Sequence, residues 1–223
     1  MISVAIDGPA GAGKSTISKI VAKELGFIYV DTGALYRAIG LYVLNKGLDT
    51  KSAEQVDSCL PEVKVELKFV EGVQHVFLND VDVSDDIRTA PVSMAASNVS
   101  AIPKVREFLF NLQRSFAKTD NVVMDGRDIG TVVLPNADLK IFLTASPEDR
   151  AKRRYDEMIA KGQDVVFADV LEDLKQRDYN DSHREIAPLK PADDSVLVDT
   201  TGNTLEQSVE LLVNTVRTKL KLK

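Results

Sequence analysis

Eight residues near the N-terminus could do chemistry as they stand. Gly8-Pro9-Ala10-Gly11-Ala12-Gly13-Lys14-Ser15 fits G-x-x-x-x-G-K-S/T, the pattern of a loop that cradles phosphate. Glycines at these spacings let the backbone turn sharply and aim successive N–H groups at one anion. Lys14 adds a mobile cation for β- and γ-phosphates, and the Ser15 hydroxyl an oxygen ligand for Mg²⁺. Such a pattern arises by accident on the order of 1% of the time in a chain this long, so its surroundings decide. The approach, Ile2 to Ile6, is an apolar run of strand length. The exit, Thr16 to Leu25, places Ile17, Ile20, Val21 and Leu25 at helical spacing. The helix brings its positive N-terminal end to the loop. Strand, glycine loop and helix together imply a bound nucleoside triphosphate, and leave open what is done with it.

Further candidates lie downstream. Asp31-Thr32-Gly33-Ala34-Leu35-Tyr36-Arg37 follows a short strand, Phe27 to Asp31. Thr32 is expected to cap a helix whose inner side carries Leu35, Ile39, Tyr42 and Val43. A solvated Arg37 and one facing a ligand at the carboxyl edge of a parallel sheet fit this segment equally well. Arg106 lies at the start of a helix opened by Pro103, where a cation is mildly unfavourable. Asn121 to Asp125 reads as a buried strand. It runs directly into Gly126-Arg127-Asp128-Ile129-Gly130, an acid–base–acid run that packing alone does not explain.

The elements that must position these residues follow from period and punctuation. Ser52 to Leu60 reads as a short helix stopped by Pro61. Val63, Val65, Leu67 and Phe69 then alternate with Lys64, Glu66 and Lys68, which is strand period. Turns at Glu71-Gly72 and Asn79-Asp80 make a three-stranded antiparallel meander within an otherwise βα chain. His75 is expected on its surface, without metal. Asp85 to Ala101 reads as helix, with Pro91 near a helix start, Met94, Ala95, Ala96 and Val99 in the core and Ser97 a small polar residue among them. Pro103 opens a helix faced by Val105, Leu109, Leu112 and Phe116. Leu139 to Ala145 is a strand, and Ser146-Pro147 starts a helix carrying Arg150, Arg153 and Arg154 that stops near Gly162. Surface pairs with Glu148, Asp149 and Asp156 are its bland explanation. A second polar helix, Phe167 to Asp178, precedes Arg177 to Arg184. Two such helices joined by a loop also describe a mobile lid over phosphates. Ser195 to Asp199 is the last strand. Thr204 caps a closing helix with Leu205, Val209, Leu212, Val213 and Val216 inward, and Lys219 to Lys223 reads as its frayed end.

Bulk properties bound the reading. The chain has 223 residues and a net charge of −6. An acidic chain is poorly suited to general nucleic-acid binding, and no partner of that kind is expected. Nine of its eleven arginines nevertheless lie between Arg88 and Arg184. One cysteine, Cys59, rules out an internal disulfide and suits a reducing compartment. No apolar run reaches membrane-spanning length, and Ile2 already enters a core strand, so a cytoplasmic protein without membrane partner is expected.

Taken together, GPAGAGKST at 8–16, DTGALYR at 31–37, SNVSAIPKVR at 97–106, DGRDIGTVV at 125–133 and QRDYNDSHREIAPL at 176–189 resemble the bacterial type of the cytidylate kinase family. These enzymes are nucleoside monophosphate kinases, and the motifs run almost from end to end. The resemblance implies an α/β P-loop fold of three layers, with an inserted antiparallel β subdomain and a helical lid. It implies a single kinase domain over 1–223: core at 1–30, 119–147 and 186–223, acceptor-binding region at 31–118 with the meander at about 62–84, and lid at 148–185. ATP with Mg²⁺ and CMP or dCMP are the implied substrates, and a monomer is expected.

The same resemblance implies roles. Gly8 to Gly13, Lys14, Ser15 and Thr16 would bind ATP, with Ser15 on Mg²⁺ and Asp125 reaching it through water. Thr32, Arg37, Ser97, Arg106, Arg127, Asp128, Arg177, Asp181 and Arg184 would bind the acceptor. Of these, Arg37, Arg127 and Arg184 would hold phosphate, Ser97, Arg106 and Asp128 would read cytosine, and Arg177 and Asp181 would contact the ribose. Lys14, Arg127 and Arg184, with Arg153 and Arg154 of the lid, would serve catalysis. Three alternatives fit less well. A guanine-reading N-K-x-D is missing, since Asn45-Lys46-Gly47-Leu48-Asp49 has its acid one place late. A kinase of another metabolite does not require the DGRD run with Ser97 and Arg106, and a nucleotide-binding module without catalysis does not require so many arginines.

Overall fold

The computed structural model describes residues 1–222. In chain order the elements are β1 (Ser3–Asp7), α1 (Lys14–Leu25), β2 (Ile28–Asp31), α2 (Thr32–Asn45) and α3 (Ala53–Cys59). The inserted strands β3 (Val65–Val70), β4 (Val73–Leu78) and β5 (Val81–Asp82) come next, then α4 (Ala90–Ser100) and α5 (Pro103–Thr119). The chain ends through β6 (Val122–Gly126), β7 (Leu139–Thr144), α6 (Pro147–Ala160), α7 (Phe167–His183), β8 (Val196–Asp199) and α8 (Leu205–Leu220). They divide into two compact units, one of residues 1–29 with 120–223 and one of residues 30–119.

The first unit is built on a sheet of order β2-β6-β1-β7-β8, with β1 parallel to β6 and β7, and β7 parallel to β8. Its strands are near-continuous apolar runs because helices cover the sheet. Val4, Ile6, Ile17, Val21, Val123, Ile141, Leu143 and Leu212 form its core. The register sets Asp7 beside Gly126. The phosphate loop and the Gly126–Gly130 loop therefore leave neighbouring strand ends, at a point where chain order reverses and α/β sheets bind ligands.

The second unit packs α2 against α4 and lays the sheet β3-β4-β5 on α2. Leu35, Ile39, Val43, Val76, Leu78, Ile87, Val99 and Leu109 are its core. The α2–α4 approach depends on Gly40, where a Cβ would come within 3.0 Å of Ala95 Cβ. The meander forms as its alternation predicts. Both of its turns hold positive φ at both central residues, Glu71 and Gly72, then Asn79 and Asp80, the geometry that suits twisted hairpins. Phe69 meets Phe116 edge to face at 6.1 Å.

Several local expectations are corrected. Asp31, not Thr32, caps α2: its carboxylate accepts from Ala34 N, and Thr32 is the first helical residue. The helix does not begin at Asp85: a 3₁₀ turn at Asp86–Arg88 precedes α4, which Thr89 caps and which has Pro91 in its first turn, as expected of a helix start. Met94 and Leu205 face outward, 40% and 47% exposed. Helix α7 continues to His183, past the expected end at Asp178. A π-helical turn, Ile129–Val133, follows the DGRD run. Of the expected frayed end, Lys219 and Leu220 are helical, Lys221 caps the helix, and Lys223 lies outside the described residues. Cys59 is buried at the end of α3, as a small apolar filler would be. Among the described residues no helix is long and apolar enough to cross a membrane.

Candidate active site

The phosphate loop leaves β1 under tight constraint. Gly8 has φ +153°, and a Cβ there would collide with the carbonyl oxygen of Leu143 on β7. Helix α1 begins at Lys14 with no side-chain cap, so its first N–H groups keep their anion-binding potential. Cations take up carbonyls of the loop. Lys14 Nζ donates to Pro9 O at 2.7 Å, Arg150 Nη1 to Ala10 O at 2.8 Å, and Arg153 Nη1 to Ala12 O at 3.5 Å. Lys14 is buried. Burial first, and the Arg127 guanidinium second, push its ammonium well below the ordinary lysine range, a state that an anionic phosphate would reverse.

The loop after β6 supplies a dense set of charges. Asp125 accepts from Ser15 Oγ at 2.9 Å and from Tyr29 Oη at 3.0 Å. Arg127 Nε donates to Asp181 Oδ2 at 2.8 Å. Arg184 Nη2 lies 3.4 Å from Asp128 Oδ1, with Arg184 Nε donating to Ala187 O. Burial alone would raise Asp181, but Arg127, Arg177 and Arg184 hold its carboxyl below the usual range. Burial likewise opposes the charge on Arg127, and Asp181 restores it. Arg177 and Asp181 are one helical turn apart on α7. The extra turn of that helix therefore places Asp181, one of the expected ribose-binding residues, against the expected phosphate-binding Arg127.

Asp7 ties the two loops together, accepting from Ile129 N at 2.8 Å and Gly130 N at 2.7 Å. Burial pushes its carboxyl up to about 6 in spite of these donors. A raised carboxyl means the folded state holds the proton more tightly than the unfolded chain. Its stabilising contribution is complete below about pH 4 and is lost as pH rises through about 6. Relative to Asp7→Asn, the wild type should gain about 1 kcal/mol between pH 7 and pH 5. Paired thermal melts at the two pH values check this, and a constant difference refutes it.

The arginines of α6 diverge. Arg150 is buried and joins Ala145 O, Ala10 O and the Asp178 carboxylate, the last at 2.6 Å. Arg153 reaches Thr200 O at 2.7 Å beside the phosphate loop. Arg154 instead pairs with Glu157 on the helix surface. The expected surface pairs with Glu148, Asp149 and Asp156 are thus not those the arginines make; Asp156 is taken by Lys152.

In the second unit, Arg106 is buried, donates to Ser100 O at 3.2 Å and lies 5.8 Å over the Tyr36 ring. Ser100 Oγ in turn donates to Ser97 O at 2.8 Å. Thr32 is buried on the first turn of α2, and Arg37, further along it, lies 3.6 Å from Asp31 Oδ2. Thr16, by contrast, is exposed on the first turn of α1. His75 is half-buried and meets Asp82 at 2.8 Å. Among the described residues no cluster of three or more His, Cys, Asp or Glu side chains could hold a metal.

Sequence reasoning overlooked Asp7, Tyr29, Tyr36, Asp31, Arg88 and the structural work of Arg150. Asp7 and Asp31, acids at the ends of β1 and β2, carried local signals; the others become legible through partners far along the chain.

The cytidylate kinase family model matches residues 4–218. A cytidylate kinase of Caldicellulosiruptor saccharolyticus is 52% identical over 209 residues, which are 94% of this chain and 92% of that protein. One of Leuconostoc mesenteroides is 46% identical over 217 residues, 97% of each. Among solved structures, an uncharacterized protein from Eubacterium ventriosum shares the fold at TM-score 0.55, with 12% identity over 97% of this chain and 98% of that one. The family match and the near-complete span of its relatives carry the conclusion that the chain belongs to the cytidylate kinase family.

Proposed function

We propose that the chain transfers the γ-phosphoryl group of ATP to CMP or dCMP, giving ADP and CDP or dCDP. The observation that carries this is the pairing of β1 with β6, which starts a phosphate loop and an arginine-bearing loop at adjacent strand ends. Phosphoryl transfer needs alignment and charge neutralisation more than a covalent catalyst. In the first unit, the amides of Gly8 to Gly13 and Lys14, with Ser15 and Thr16, hold the ATP phosphates. Arg127 and Arg184 neutralise the acceptor phosphate and the transferred group, exchanging their carboxylate partners for phosphate oxygens. Asp128 accepts from the cytosine amine, and Arg177 and Asp181 contact the ribose. In the second unit, Thr32 and Arg37 serve the acceptor phosphate end, and Ser97 and Arg106 the base. Residues 148–185, with Arg153 and Arg154, act as a lid that excludes water.

The oxygens of Ser15 and Asp125 stand together at the phosphate loop. This donor set suits Mg²⁺, a hard cation that arrives with nucleotide phosphates and needs few protein ligands. When bound, Mg²⁺ neutralises and orients the phosphates. The compartment we assign is the cytoplasm, as a single buried, reduced cysteine suits.

A coupled ADP-release assay across CMP, dCMP, UMP, AMP, GMP and shikimate tests the reading. CMP or dCMP should give the highest kcat/KM. A higher value for AMP, GMP or shikimate would overturn it.

A further inference from the structure

The inserted sheet has no part in the chemistry described above, yet it presents one polar side chain to its own core face. Gln74 is in phase with Val76 and Leu78, both buried. Its amide grips the backbone of Asp31 at two points: Asp31 N donates to Gln74 Oε1 at 2.9 Å, and Gln74 Nε2 donates to Asp31 O at 3.4 Å. Asp31 ends β2, an edge strand of its sheet, and the amide supplies the donor and acceptor that a further strand would.

The Asp31 side chain is 5% exposed and fully committed. Its Oδ1 accepts from Ala34 N at 3.0 Å, and its Oδ2 accepts from Arg88 Nη1 at 3.0 Å. Arg37 Nη1 stands 3.6 Å from the same Oδ2, and that nitrogen is buried without a hydrogen bond. Burial would raise this carboxyl, but Arg37 and Arg88 together hold it below the usual range. Because Arg88 takes the hydrogen bond, Asp31 orients Arg37 by charge while leaving Nη1 for another acceptor. Two guanidiniums about one carboxylate leave the cluster net positive, which suits a phosphate dianion. Gly33 makes the room: a Cβ there would stand 3.2 Å from Asp31 Oδ1 and 3.5 Å from Arg37 Nη1.

We propose that Asp31 is the positioning residue for Arg37, and that the inserted sheet fixes Asp31 through the Gln74 side chain. This rests on the assignment of Arg37 to the acceptor phosphate. The insert then serves phosphate capture from a distance, by holding the end of β2 in place.

Steady-state kinetics with CMP and ATP varied separately test it, on Gln74→Ala, Asp31→Asn, Arg37→Ala and the Asp31→Asn/Arg37→Ala double variant. Asparagine keeps the helix cap through its one oxygen and removes both the charge and the acceptor that Arg88 uses, and melts establish that each variant is folded. Asp31→Asn should raise KM for CMP about tenfold and Gln74→Ala about threefold, with KM for ATP within about twofold, the size expected for one charge contact and one support for it. In the Arg37→Ala background, Asp31→Asn should add less than about twofold, because contacting residues are non-additive. An equal effect of Asp31→Asn in both backgrounds, equal rises for CMP and ATP, or no change in either single variant would overturn the proposal. If Arg37→Ala itself leaves KM for CMP unchanged, the assignment of Arg37 fails instead, and the proposal falls with it.

Discussion

Replacing Lys14 with alanine should abolish most turnover while leaving the fold intact. Deleting one charged contact to a transferring group typically costs roughly 10²–10³ in kcat, and Lys14 is the phosphate loop's own cation. The stability side is unusual for a buried residue. Lys14 makes one hydrogen bond, to Pro9 O, whose net value is about 1 kcal/mol. Against that, burial and the neighbouring Arg127 disfavour its charge. Removing the side chain therefore relieves an electrostatic cost of similar order to what it loses, and the melting temperature should move by only a few degrees in either direction. The same physics gives a second readout. A triphosphate at Lys14 favours the ammonium, so ATP binding by the wild type should take up protons at alkaline pH. Titration calorimetry in buffers of different ionisation enthalpy measures that uptake, and Lys14→Ala should reduce it. Turnover within tenfold of the wild type would refute the role given to the loop. A large loss of melting temperature would make Lys14 a structural residue.

What the sequence made legible was local. Strand, glycine loop and helix from Ile2 to Leu25 are declared by neighbouring residues, and the structure keeps them. The meander was legible because period two and its turn residues agree over a short span, with Asn79 and Asp80 both at positive φ. Boundaries failed where a distant partner decides. The run after Asp178 is too polar to read as helix, yet α7 continues because Asp181 is held by Arg127 from 54 residues away. Asp31 caps α2 with Oδ1 while its Oδ2 answers Arg88, 57 residues on, a second partner no local pattern names. Arg150 looked like a surface cation; it is buried, and its partners include a loop carbonyl 140 residues earlier and the Asp178 carboxylate. Met94 and Leu205 were misplaced for the opposite reason. Leu205 opens α8 and Met94 stands in mid-α4, and an apolar residue can satisfy the period in either place without being obliged to touch the core. The candidate site is thus a mixture: its residue types stand in short motifs, whereas the charges that poise them come from pairings no motif contains.

Asp128 is where such a pairing changes how a specificity experiment must be read. Asp128 is buried, directly follows Arg127 and precedes the Ile129–Val133 turn, whose Val132 N–H donates to its backbone carbonyl. That anchoring fixes the side chain in one direction. Its Oδ1 lies 3.4 Å from Arg184 Nη2, with both side chains 6% exposed. Asp128→Asn keeps the size, removes the charge and adds a donor. A carboxylate accepts from the cytosine N4 amine and repels the uracil O4, whereas an amide can satisfy either. The same substitution also deprives Arg184 of a counter-charge, so kcat with every acceptor should fall somewhat. That shared loss cancels in a ratio. A good base contact is worth roughly 1–3 kcal/mol, so the preference for CMP over UMP in kcat/KM should drop about tenfold to a hundredfold. KM for ATP should stay within about twofold, since the contacts of the phosphate loop are untouched. The measurement is kcat/KM for CMP and UMP in both proteins. If the two substrates lose the same factor, Asp128 acts through Arg184 alone, and the base is read elsewhere.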